Sequence, residues 1–241
     1  MERNSGEMSG THHSQESDAP SQGIIGDREL AAWEIASIVS SILIAEWILA
    51  AVVGRSKFVV AIPMTLAFIF MISSQRLRGE TLRDLGFRFD NFLQAVKLLL
   101  LPMLLVGGLC LLVGWWLGEG LNFLRWHADR PILAQLFLGF GWGLVQQYVL
   151  QSFINRRGQF IWGPGWFSIL LVAVIFAGLH LPNPWLTIIT FAGGVIWAAV
   201  YQRAPNIFAL AVSHSVMTWI LVSTLPTSAL NHLRVGFKYF G

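Results

Sequence analysis

Seven apolar runs of roughly membrane-spanning length follow one another along the 241 residues, and nothing else in the sequence limits the fold as strongly. They occupy residues 31–53, 58–73, 92–117, 132–153, 166–180, 185–201 and 206–225. A hydrocarbon core about 30 Å thick is crossed by about 20 apolar residues in a helix. Only 12% of the chain is charged, against about 25% in a soluble domain, and the missing charge is missing from these runs. The expected architecture is an all-α polytopic membrane bundle of about seven transmembrane helices, embedded in a lipid bilayer.

The polar remainder sorts around that frame. Residues 1–30 are rich in Ser, Gly, Thr, His and acidic side chains and read as a disordered polar tail, in which His12 and His13 are solvated rather than metal-binding. Residues 31–241 form the bundle. The net charge of +3 does not point to nucleic acid, because the basic residues lie in the connections, as they do in membrane proteins. The face carrying Arg28, Arg76, Arg78, Arg83, Arg88, Arg156, Arg157 and Arg203 outnumbers the face carrying Arg55, Lys57, Arg125, Arg130, Arg234 and Lys238, which favours a cytoplasmic N-terminus. Cys110, the only cysteine, permits no intrachain disulfide and reads as a small apolar residue. Trp115, Trp116, Trp126, Trp162, Trp166 and Trp185 gather near span ends, as interfacial anchors do. Residues 76–91 read as an amphipathic stretch before the third span. Gly139 and Gly143 share one helical face, where a neighbouring backbone can approach closely.

Polar side chains inside hydrocarbon are costly and turn toward the bundle interior, so each invites a functional reading. The fourth span carries Gln146, Gln147 and Gln151; the fifth ends in His180, four residues after Phe176; the seventh carries Ser213, His214, Ser215 and Thr218. Pro182, Asn183 and Pro184 break the chain just after His180. Glu34 and Lys97 lie near span ends and are expected to reach water, whereas Glu46 lies deeper. Ser213, Ser215 and Thr218 alone read as helix glue. Two histidines and three glutamines on three helices form a polar core, and Gln146, Gln147, His180 and His214 are expected to face one cavity.

The strings GLVQQYVLQSFINRR, IFAGLHLPNP and NIFALAVSHSVMT together resemble the three-motif series of the CAAX-protease and bacteriocin-processing (CPBP, Abi) family of intramembrane endopeptidases, of the Ras-converting type. The likeness covers about residues 80–220. The family pattern is Glu-Glu-x-x-x-Arg, then Phe-x-x-x-His, then His-x-x-x-Asn or Asp. By that resemblance its first two positions fall on Gln146 and Gln147 and its Arg on Gln151. Phe176 and His180 match the second motif, His214 matches the third, and the final Asn or Asp falls on Thr218. In the family the glutamate pair is held to activate water for cleavage beside the prenylated cysteine of a substrate. The resemblance leaves open whether a metal takes part.

Both histidines are kept, and every charged member of the series is neutral. An amide donates and accepts hydrogen bonds but cannot take a proton from water, and loss of a positioned base costs roughly 10²–10⁴ in rate. The leading expectation is therefore a site at Gln146, Gln147, His180 and His214, supported by Gln151, Phe176 and Thr218, that holds a membrane peptide or lipid-linked segment without cutting it. An active endopeptidase with an altered site, using a histidine as base, is the alternative. A transporter-like role, suggested by the broken helix, is a further one. No cofactor is expected: two histidines and an amide fall short of the three strong ligands of a catalytic zinc site, and only Glu46 could add a carboxylate.

Overall fold

The computed structural model describes residues 21–52, 57–122 and 131–240. Arg55, Arg125, Trp126, Arg130, His12 and His13 lie outside the described residues. Among the described residues, seven helices form the bundle. Helix α1 (Ser21–Leu43) continues through a π-helical turn (Ile44–Leu49) into Ala50–Val52. Helices α2 (Lys57–Leu77) and α3 (Phe92–Trp116) follow. Helix α4 (Ile132–Gln147) runs on through a π-helical segment (Tyr148–Asn155) into Arg156–Trp162. Then come α5 (Trp166–Gly178), α6 (Pro184–Arg203) and α7 (Ile207–Thr224). A short α8 (Thr227–Leu230) and the 3₁₀ turns Asn231–Leu233 and Gly236–Phe240 complete the chain. Among the described residues, six helices are long and apolar enough to cross a membrane, and α5 is a shorter apolar helix. The protein is an integral, multi-pass, all-helical membrane protein.

Helix limits follow capping chemistry where polar caps exist. Asn183 accepts from the Leu186 amide at 3.2 Å with Pro184 at the first helical position, and Asn206 accepts from the Ala209 amide at 2.9 Å. Two limits differ from the sequence expectation. Helix α1 starts at Ser21, inside the stretch read as a tail. The fourth span does not stop at residue 153 but continues to Trp162, because its polar end is satisfied by other parts of the protein.

Those partners form an ionic cluster at one end of the bundle. Arg157, 2% exposed, donates through Nε to Glu34 at 2.7 Å, through Nη1 to both oxygens of Glu80 at 3.1 Å, and through Nη2 to Ser74 at 2.9 Å. Arg156 donates to Glu80 at 2.8 Å, Arg78 to Glu34 at 3.3 Å, and Ser74 to Glu34 at 2.5 Å. Glu34 is buried and does not reach out to water, which corrects the expectation from its position in the span. The cluster joins α1, α2, the connection after α2, and α4. Lys97, by contrast, is exposed.

The amphipathic connection 78–91 is a series of turns rather than a helix. Leu85 is buried in the bundle, the Ile207 amide donates to the Gly86 carbonyl at 2.9 Å, and Phe89 stacks on Phe208 with ring centroids 4.5 Å apart. At its surface the hydrogen bond from Arg88 holds the Asp90 carboxyl at about 2, below the usual carboxylate range. Deeper in the bundle α7 packs against α3 and α4, and α5 against α6. A Cβ on Gly143 would lie 3.0 Å from the Ala211 carbonyl oxygen and 3.3 Å from the His214 Cβ. Glycine is therefore what allows α4 and α7 to approach at the level of His214.

Candidate functional site

Helices α1 to α7 and the C-terminal turns enclose a cavity of about 450 Å³, within the range of roughly 300–1,000 Å³ usual for ligand sites. Its wall is mainly apolar, with Met64, Phe68, Trp142, Leu186, Met217 and Leu221 among the lining residues. Trp142 is also 52% exposed, so the cavity reaches the outer surface of the bundle there. Polar groups are few: Glu46, Gln146, His180, Thr190, His214 and Thr218.

Gln146 comes from the last turn of α4 before its π-helical segment. Its Oε1 is buried and has no hydrogen-bond partner among the described residues. Gln147, one position around the helix, was expected on the same wall. It is fully buried between α4 and α7, because successive helical residues project about 100° apart. Its Nε2 stands 3.2 Å from His214 Nδ1. An amide Nε2 can only donate, so Nδ1 of His214 accepts and the ring proton sits on Nε2. The His214 ring stacks on Trp197, with centroids 4.7 Å apart and planes within 5°.

His180 lies in the turn that follows α5. Its Nδ1–H donates to the Phe176 carbonyl at 2.7 Å, which leaves Nε2 as the lone-pair nitrogen of the neutral ring. The two imidazoles thus carry opposite tautomers: His214 offers an N–H at Nε2, His180 a lone pair. Phe176 touches both rings edge-on or tilted, at 4.8 and 6.0 Å. Thr218 lines the cavity.

Gln151 does not reach it. Buried in the π-helical segment, its Oε1 accepts from Asn155 Nδ2 at 2.8 Å. Asn155 in turn accepts from Gln159 at 3.0 Å and from Gln202 at 3.1 Å. Gln151 therefore begins an amide series leading away from the cavity toward the end of α4. Sequence reasoning singled out neither Trp197 nor Asn155, since an aromatic or an amide gives no signal until its partner is placed.

The Pro break is closed by the end of the chain. The Gly236 amide donates to the Leu181 carbonyl at 2.8 Å and Asn183 Nδ2 to the Leu230 carbonyl at 2.8 Å, while Leu233 and Val235 line the cavity. The Leu181 carbonyl and the Asn183 amide and carbonyl, freed at the break, are thereby satisfied within the protein.

Among the described residues no three His, Cys, Asp or Glu side chains gather closely enough to hold one ion.

Comparison with known proteins gives one match. The family model described as type II CAAX prenyl endopeptidase Rce1-like matches residues 98–220, half of the chain and the stretch containing Gln146, Gln147, His180 and His214. No curated protein and no solved structure matches the chain.

Proposed function

The chain belongs to the Rce1-like type II CAAX prenyl endopeptidase family, and from that premise we propose that its cavity captures an extended, membrane-embedded peptide segment bearing a lipid or other large apolar group. The observation that carries this reading is Gln146, which lines the mainly apolar cavity and whose buried Oε1 has no hydrogen-bond partner among the described residues. A buried acceptor left unpaired costs roughly 1–3 kcal/mol, and an incoming peptide N–H satisfies it. The Nε2–H of His214 is a donor for the neighbouring peptide carbonyl, and the lone pair of His180 Nε2 accepts a second N–H. Around these few polar groups the apolar wall suits an acyl or isoprenoid chain, entering from the bilayer where Trp142 lies at the surface.

The test is photocrosslinking in liposomes, with a peptide whose farnesylated cysteine carries a diazirine on the isoprenoid. Adducts are expected on cavity residues such as Met217 or Phe68. Gln146→Ala should weaken capture about tenfold, equivalent to about 1.4 kcal/mol. Labelling confined to the outer surface, unchanged by Gln146→Ala, would refute the reading.

A further inference from the structure

We propose that Glu46 is the general base of a working amide hydrolase in this cavity, supplying from the first span the carboxylate that Gln146 lacks. The inference rests on the reading that the cavity holds a peptide, and it lies outside residues 98–220, to which the family match extends.

Register is the first support. Arg157 of α4 is bonded to Glu34 of α1 at 2.7 Å, which fixes the two helices at one level, and they run in opposite directions from it. Glu46 stands twelve residues beyond Glu34, and Gln146 eleven residues before Arg157. Both therefore lie about three helical turns from the ionic cluster, on the same side of it. The first-span carboxylate and the glutamine at the family's first acidic position therefore stand at a similar depth. Both line the same cavity, together with His180 and His214.

The second support is that Glu46 has no hydrogen bond or ion pair among the described residues, unlike Glu34 and Glu80, which are both bound to arginines. A carboxylate inside a span without a partner is expensive and calls for a function. It sits in the π-helical turn Ile44–Leu49, a distortion found often at functional sites. The third support is spacing. Glu46, His180 and His214 line one cavity of about 450 Å³ without gathering, among the described residues, into a group that could hold a metal ion.

The chemistry then closes without another reactant. The Glu46 carboxylate takes a proton from water as the water oxygen bonds to the substrate carbonyl carbon. The charge developing on the carbonyl oxygen is met by His214 Nε2–H and the Gln146 Nε2 amide. As the intermediate collapses, the C–N bond breaks and Glu46 returns its proton to the leaving nitrogen. One water is consumed, a carboxylic acid and an amine are released, and Glu46 ends as it began.

The experiment uses the purified full chain in liposomes of phosphatidylcholine and phosphatidylglycerol, with the diazirine-farnesyl peptide followed by mass spectrometry in H₂¹⁸O. Wild type should cut the peptide and place one ¹⁸O in the new carboxylate. Glu46→Gln should retain crosslinking while its cleavage falls roughly 10²–10⁴-fold. Glu46→Gln combined with Gln146→Glu should recover cleavage, because the carboxylate returns at a similar depth. A peptide that is crosslinked in the cavity but not cut by wild type, or that is cut equally well by Glu46→Gln, overturns the proposal and leaves the capture reading standing. If Glu46→Gln loses crosslinking too, the double variant decides: recovered cleavage supports the proposal and continued inactivity rejects it. Absence of crosslinking in wild type removes the capture reading, and this one with it.

Discussion

Gln147 and His214 stand 67 residues apart in sequence and 3.2 Å apart in space, and this contact sets which nitrogen of His214 faces the cavity as a donor. Replacing Gln147 by Leu leaves a buried imidazole nitrogen unpaired, at a cost of roughly 1–3 kcal/mol. Replacing it by Glu offers only acceptors and draws the ring proton to Nδ1. Nitrogen NMR of ¹⁵N-histidine-labelled protein should find Nδ1 of His214 unprotonated in wild type and protonated in Gln147→Glu. Unchanged tautomers would refute this assignment.

The ionic cluster should matter far more than ion pairs at the surface. Arg157→Ala removes the buried partner that Glu34 and Glu80 share and leaves each with one arginine, Arg78 and Arg156, which should cost about 2–3 kcal/mol, short of the roughly 3–5 kcal/mol for a buried charge left wholly unpaired. Arg83, 66% exposed and paired with Asp90 at 2.8 Å, should cost no more than about 1 kcal/mol when changed to Ala. Thermal unfolding in detergent, monitored by intrinsic tryptophan fluorescence, should separate the two variants clearly.

Helix approach can be tested with single methyl groups. Gly143→Ala drives a Cβ toward the Ala211 carbonyl and His214 and should cost about 1–3 kcal/mol, with a matching loss of peptide capture. Gly141→Ala meets nothing within 4 Å and should be neutral or stabilising by up to about 1 kcal/mol. Equal melting temperatures for the two variants would contradict the close α4–α7 packing.

Metal analysis of protein purified without chelators should find zinc well below one ion per chain, given that no three strong donors gather among the described residues and a catalytic site takes three. Stoichiometric zinc that disappears in His214→Ala would be the contrary result.

The number and order of the spans were legible because each is written as a run of apolar residues, and hydropathy needs no partner to be read. What depends on a partner was not. Glu34 near a span end suggests a side chain reaching water, until Arg157, over a hundred residues later, is seen to be bonded to it. For the same reason the fourth span was cut short at residue 153: Asn155, Arg156, Arg157 and Gln159 look like an exit from the membrane, yet each is bonded within the protein. At the site, helical phasing could group Gln146 and Gln147 with the histidines. It could not tell which glutamine borders the cavity and which one braces His214. The π-helical turn that carries Glu46 leaves no mark in the sequence.

The C-terminal turns give the cavity a position in the history of each molecule. Leu233 and Val235 line it, the Gly236 amide bonds to Leu181, and Phe237 meets Trp47 edge-on at 6.2 Å. During synthesis the seven spans can enter the bilayer before those residues leave the ribosome, so a nascent chain holds the histidines and glutamines with one wall unmade. The binding surface is therefore complete only once these turns have packed against Leu181 and Trp47, elements that precede them in the chain.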